Sequence, residues 1–187
     1  MPTVSRCLSD GTLLELLYDP EARTTAFVLW AGGQWTIERE VTIAGERLVP
    51  FSPRNNLVSN EAVLLPSRPQ EYGSEHELVG SIQAHIHRYA DLSSSFERVA
   101  THYVFLTWVY DAFNDLPYLR FRGDFGTGKT RALLTIGSIC YKPFFASGAS
   151  TISPILHTLD AFRGTLIFDE ADFRFSRKLP GIFGISH

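Results

Sequence analysis

The feature that most constrains this chain is the run Gly123-Asp124-Phe125-Gly126-Thr127-Gly128-Lys129-Thr130, which fits GxxxxGK[ST] without a mismatch. Ahead of it, residues 118–122 alternate β-formers with arginine and predict a short strand. Behind it, Ala132, Leu133, Ile136 and Ile139 recur at helical spacing and predict a helix that buries them. A glycine loop between strand and helix is the setting in which this pattern holds phosphate. Glycines let backbone N–H groups approach phosphate oxygens without Cβ clashes. The first helical turn adds free N–H groups and the positive end of the helix dipole. Gly123, Gly126, Thr127, Gly128, Lys129 and Thr130 are therefore candidate nucleotide-binding residues. Lys129 would reach the β- and γ-phosphates, and the Thr130 hydroxyl would ligate Mg2+.

A second pattern complements the first. Gly164-Thr165-Leu166-Ile167-Phe168-Asp169-Glu170 reads as a strand ending in adjacent carboxylates. It is expected to lie beside the 118–122 strand in a parallel sheet, with its C-terminal end at the ligand crevice. Asp169 would then hold Mg2+ through its water shell, and Glu170 would orient or deprotonate the attacking water. Alone, an acidic pair after a strand is as well explained by a helix N-terminus. The interval from Lys129 to Asp169 leaves room for a helix, a strand and a second helix before this strand. Residues 144–147 are expected as the middle strand and 151–162 as the second helix, with Pro154 in its first turn, where proline is tolerated. Lys129, Asp169 and Glu170 are the candidate catalytic residues, and Thr130 and Asp169 the candidate metal ligands.

The preceding residues read differently. Residues 1–60 predict a small antiparallel β subdomain: strands at 13–18 and 24–30, a loop at 31–34, and a strand at 35–43 with Trp35, Ile37, Val41 and Ile43 on one face. Residues 61–73 are expected as a linker, and 74–115 as a helical lead-in to a core at 116–187. One helix is expected over 74–91, with Leu78, Ile82, Ile86 and Tyr89 on its buried face and a Ser74–Glu77 capping box. A second is expected over 96–114, with a buried stripe of Val99, Tyr103, Leu106, Tyr110 and Phe113. His85 and His87, two apart on a helix, point in different directions and make poor metal ligands. The aromatic run from Tyr103 to Phe113 is better read as core than as a base-stacking platform.

Composition narrows the classes. With 44% hydrophobic and 20% charged residues the chain has a globular balance. No run approaches the ~20 apolar residues that span a bilayer. No signal-like apolar core follows Met1, and Cys7 and Cys140 form no disulfide or zinc framework. A cytoplasmic protein without a membrane partner is expected. Net charge is −3, yet the arginines and lysines concentrate after residue 115, as in a phosphate-handling segment.

On residues 116–123, 126–131, 140–143 and 164–170 the chain resembles P-loop ATPases of the AAA+ and superfamily-3-helicase kind. It is most similar to the ATPase domains of primase–helicase-like proteins from phages and mobile elements. The resemblance implies an α/β three-layer sandwich around a parallel sheet, with two helices and the β subdomain in front. It adds Arg131 to the nucleotide-binding set and makes the nucleotide ATP. It also implies hydrolysis coupled to work on single- or double-stranded DNA, in a homo-oligomer with ATP at subunit interfaces. The family's polar sensor and arginine finger are not recognised in the residues after Glu170, where Arg174 and Arg177 read as solvated charges. An incomplete sandwich is therefore expected, truncated after the DE pair. A non-catalytic nucleotide-binding remnant or regulatory subunit is the alternative. A small-molecule kinase is disfavoured, because it needs no water-activating glutamate.

Overall fold

The computed structural model describes residues 1–124, 126–147 and 150–169. The chain is mixed α/β, with mostly antiparallel sheets. It divides into two compact units, Met1–Glu71 with Asp160–Arg163, and Tyr72–Leu159 with the described residues from Gly164 on.

The first unit is built on strands β1 (Pro2–Thr3), β2 (Ser5–Cys7), β3 (Leu13–Asp19), β4 (Thr24–Ala31), β5 (Gln34–Glu38), β6 (Val41–Ile43) and β7 (Glu46–Pro50). One antiparallel sheet runs β2-β3-β4-β5, and a second runs β1-β7-β6 with β1 parallel to β7. The turn after β3 forms because the Asp19 carboxylate accepts from the backbone N–H groups of Glu21 and Ala22. Alternation then sorts the faces. Leu14, Leu16 and Tyr18 of β3 are buried on one face, Leu17 is buried on the other, and Phe27 of β4 is buried opposite Leu16. Fully burying such side chains contributes about 1.5–3 kcal/mol each, which suffices to set the register.

Two expectations for this unit are corrected. The single strand over 35–43 breaks at Arg39-Glu40, because β5 pairs with β4 whereas β6 pairs with β7. Its apolar face is not a core face at Trp35 and Ile37, which are exposed. Residues 61–71, most of the expected linker, hold no helix or strand and pack with this unit. Helix α1 (Asn56–Ser59) precedes them, Val63 is buried, and the Tyr18 N–H donates to the Pro66 carbonyl.

The second unit holds α2 (Glu75–Tyr89), α3 (Ser94–Trp108), a 3-10 turn (Tyr110–Ala112), α4 (Lys129–Gly137), β8 (Phe144–Ser147), α5 (Ile152–Phe162) as far as Leu159, and β9 (Leu166–Asp169). Helix α2 starts where its cap dictates: Ser74 Oγ accepts from the Glu77 N–H and the Glu77 carboxylate accepts from the Ser74 N–H. Ile86, Ala100, Val104, Ile136 and Cys140 form the core among α2, α3 and α4. The C-terminal end of α4 is pinned to α3 through Thr107, whose hydroxyl accepts from the Tyr141 N–H, and Trp108, whose indole N–H donates to the Ile139 carbonyl.

The expected stripe on α3 is out of phase. Val99 and Phe113 are exposed, while Ala100 and Val104 are buried together with Glu97, Thr101 and Thr107. These polar residues tolerate burial because each is satisfied: Thr101 donates to the Glu97 carbonyl, Thr107 to the Val104 carbonyl, and Glu97 pairs with His87 at 2.7 Å. The helix ends at Trp108 rather than at 114. Tyr89, placed on the buried face of α2 by its spacing, is half exposed.

Residues 118–122 are the main correction. Among the described residues they form no strand, and β9 pairs instead with β8 in a parallel ladder that aligns Ser147 with Asp169. Leu119 and Phe121 pack against the helical core, so hydrophobic burial holds this segment in place of ladder hydrogen bonds.

Candidate functional site

The glycine loop enters α4 through Gly128, whose φ of 80° and ψ of 12° are left-handed. A glycine adopts this conformation without the Cβ penalty that other residues carry. Among the described residues no side chain caps α4. The N–H groups of its first turn therefore face outward with the positive end of the helix dipole behind them. The loop also folds tightly on itself. Thr127 Oγ1 donates to the Asp124 carbonyl at 2.9 Å, and a Cβ at Gly123 would stand 2.7 Å from that same hydroxyl.

The Lys129 ammonium is tethered inside this loop. It donates to the Gly123 carbonyl at 2.7 Å and to the Asp124 carbonyl, with Thr127 Oγ1 at 3.4 Å. Three loop oxygens thus hold a cation where the motif calls for phosphate. Phosphate oxygens would attract the ammonium more strongly than neutral carbonyls do.

Across the chain, Thr130 Oγ1 donates to Asp169 Oδ2 at 3.0 Å. Each residue reaches this point for a local reason. Thr130 lies in the first turn of α4. Asp169 ends β9, whose parallel pairing with β8 puts the C-terminal ends of both strands on one edge. A cavity of about 310 Å3 opens there, lined by Leu133, Leu134, Ala146, Ser147, Ser150 and Asp169. A hydroxyl beside a carboxylate is a donor set suited to a hard divalent cation. Among the described residues no group of three or more His, Cys, Asp or Glu side chains could hold a metal. Among those residues there is thus no all-protein cage, and Mg2+ needs none, since it keeps several waters and takes one or two protein ligands with substrate phosphates.

The structure therefore brings Gly123, Gly126, Thr127, Gly128, Lys129, Thr130 and Asp169 into one unit, with the loop and Thr130–Asp169 contacts as described. Arg131 follows on α4 and is exposed. Glu170, Arg174 and Arg177 lie outside the described residues. His85 and His87 do not converge: His85 packs on Tyr89 with ring centroids 5.0 Å apart, and His87 pairs with Glu97. The hydrogen bond that His87 donates to the Glu97 carboxylate raises the His87 pKa, helped by the charges of Glu97 and Asp91. Burial pushes the Cys140 thiol up to about 11, so it is no nucleophile at neutral pH.

Sequence reasoning missed a groove of about 470 Å3 that contains His85, Tyr89, Thr130 and Arg131. The signal was present, since His85 and Tyr89 are four residues apart and so share one helix face. No family model, curated protein or solved structure matches this chain.

Proposed function

We propose that this chain is the Mg-ATP-binding and ATP-hydrolysing module of a DNA-processing ATPase, built as a P-loop sandwich of the AAA+ and superfamily-3-helicase kind. The observation that carries the reading is the 3.0 Å contact between Thr130 Oγ1 and Asp169 Oδ2, spanning the two motifs. It is supported by the uncapped, glycine-led N-terminus of α4. Neither motif contains this contact alone, and a structural glycine loop has no need of it.

In this reading the loop N–H groups and Lys129 hold the β- and γ-phosphates and fix the leaving group. Thr130 and Asp169 would hold Mg2+, which supplies charge neutralisation to the phosphates when bound. Glu170 accepts a proton from the attacking water and directs its oxygen at the γ-phosphorus. Arg131 borders the same site from α4. The exposed glycine loop suits assembly into homo-oligomers in which a neighbouring copy completes the site, and the basic C-terminal third suits a DNA partner. Among the described residues no helix is long and apolar enough to cross a membrane, and we place the protein in the cytoplasm.

Turnover and binding are tested separately. Glu170→Gln should abolish ATP hydrolysis while retaining Mg-ATP. A wild-type chain that binds ATP but releases no phosphate, with or without DNA, would refute the catalytic part and leave a nucleotide-binding subunit.

A further inference from the structure

We infer that the groove between α2 and α4 seats the base and ribose of the bound nucleotide, and that it selects purines by stacking without telling adenine from guanine. The inference rests on the nucleotide-binding reading of the glycine loop. The groove is broadly open to solvent, and its volume of about 470 Å3 is within the range of small-molecule sites. Thr130 lines it and also contacts Asp169, so the groove is continuous with the phosphate end of the proposed site. From Thr130 it follows α4 to Ser138, which at helical rise is about 12 Å.

Its two walls differ in chemistry. The α2 wall presents the His85–Tyr89 pair, with centroids 5.0 Å apart and planes tilted by 59°. Tyr89 is 50% exposed, although it lies on the α2 side that packs toward α4, so its ring is available to a flat ligand. The α4 wall presents Leu134 together with Arg131, Thr135 and Ser138. Hydroxyls and a guanidinium suit a ribose and its α-phosphate. No carboxylate or amide side chain lines the groove among the described residues. Those groups pair with the adenine edge, and Arg131, which could pair with a guanine edge, is assigned to the α-phosphate, so recognition falls to the face of the base. Purines offer the larger face.

The test compares Mg-ATP, Mg-GTP, Mg-CTP and inorganic tripolyphosphate by titration calorimetry on the full chain. Wild type should bind ATP and GTP within about threefold of each other and both more tightly than CTP. Tripolyphosphate, which has no nucleoside, should bind most weakly. Tyr89→Ala should weaken ATP about tenfold and leave tripolyphosphate unchanged, and Tyr89→Phe should restore ATP. The inference is overturned if Tyr89→Ala binds ATP as wild type does, or loses ATP and tripolyphosphate equally. It is also overturned, without any variant, if wild type binds tripolyphosphate as tightly as ATP; that result leaves the phosphate reading standing. Binding of none of these ligands by wild type overturns both.

Discussion

Gly123 and Gly128 serve the loop for different physical reasons, and substitution separates them. At Gly128 a Cβ meets nothing within 4 Å among the described residues, but φ is +80°. Gly128→Ala therefore introduces backbone strain alone, about 1–2 kcal/mol for an L-residue in the left-handed region. If α4 keeps its start, that cost appears as lost stability in urea unfolding followed by circular dichroism. If the first turn relaxes, the cost moves to the bound state and weakens Mg-ATP by about 5- to 30-fold. Gly123 has no positive φ, yet its Cβ would stand 2.7 Å from Thr127 Oγ1. Gly123→Ala is thus a steric insertion that turns the Thr127 hydroxyl off the Asp124 carbonyl, costing about 0.5–1.5 kcal/mol. Removing the hydroxyl relieves it. In a double-mutant cycle, Thr127→Ala should recover most of the Gly123→Ala loss and none of the Gly128→Ala loss. A Gly128→Ala chain unchanged in both stability and nucleotide affinity refutes the reasoning, as does a Gly123→Ala loss that persists without the Thr127 hydroxyl.

Three further outcomes are expected. His87 has a raised pKa in the folded chain, so its pairing with Glu97 stabilises fully below the ordinary histidine value of 6.5 and is lost as pH rises through the raised folded value; melting temperatures should fall across that window, and His87→Ala should remove this dependence. Ile136 is 2% exposed at the centre of the helical core, so Ile136→Ala should cost about 2–5 kcal/mol in urea unfolding. Cys7 is exposed whereas Cys140 is buried with its thiol pushed up to about 11, so an aromatic disulfide reagent at neutral pH should titrate Cys7 in the native chain and Cys140 only after unfolding.

What could be read from the residues was what local chemistry decides. Ser74 and Glu77 announce the start of α2, and Gly128-Lys129-Thr130 the start of α4. The β8 boundaries, Phe144–Ser147, follow from a short apolar run. Non-local choices were not legible. Residues 118–122 have strand composition, but composition does not say whether a ladder partner is adjacent, and Leu119 and Phe121 went to the helical core instead. The phase of α3 was misjudged because Glu97, Thr101 and Thr107 count as polar while their hydrogen bonds allow burial. Period-two alternation through Trp35 and Ile43 ran across a change of sheet at Arg39-Glu40, which alternation cannot register. At the site, motif spacing brought out Thr130 and Asp169, but not the Tyr89 side of α2, since half exposure of an aromatic depends on what packs beside it.

The most direct measurement is equilibrium binding of ATP with and without Mg2+, on the wild-type chain and on Lys129→Ala and Asp169→Asn. Wild type should bind ATP and lose affinity when EDTA removes the metal. Lys129→Ala should lose at least about tenfold under both conditions, since it withdraws a charge from the phosphates. Asp169→Asn should match wild type in EDTA and lose only the gain that Mg2+ brings. ATP affinity that is indifferent to Mg2+ and to both substitutions would contradict the assignment of the Thr130–Asp169 contact to a metal–nucleotide site.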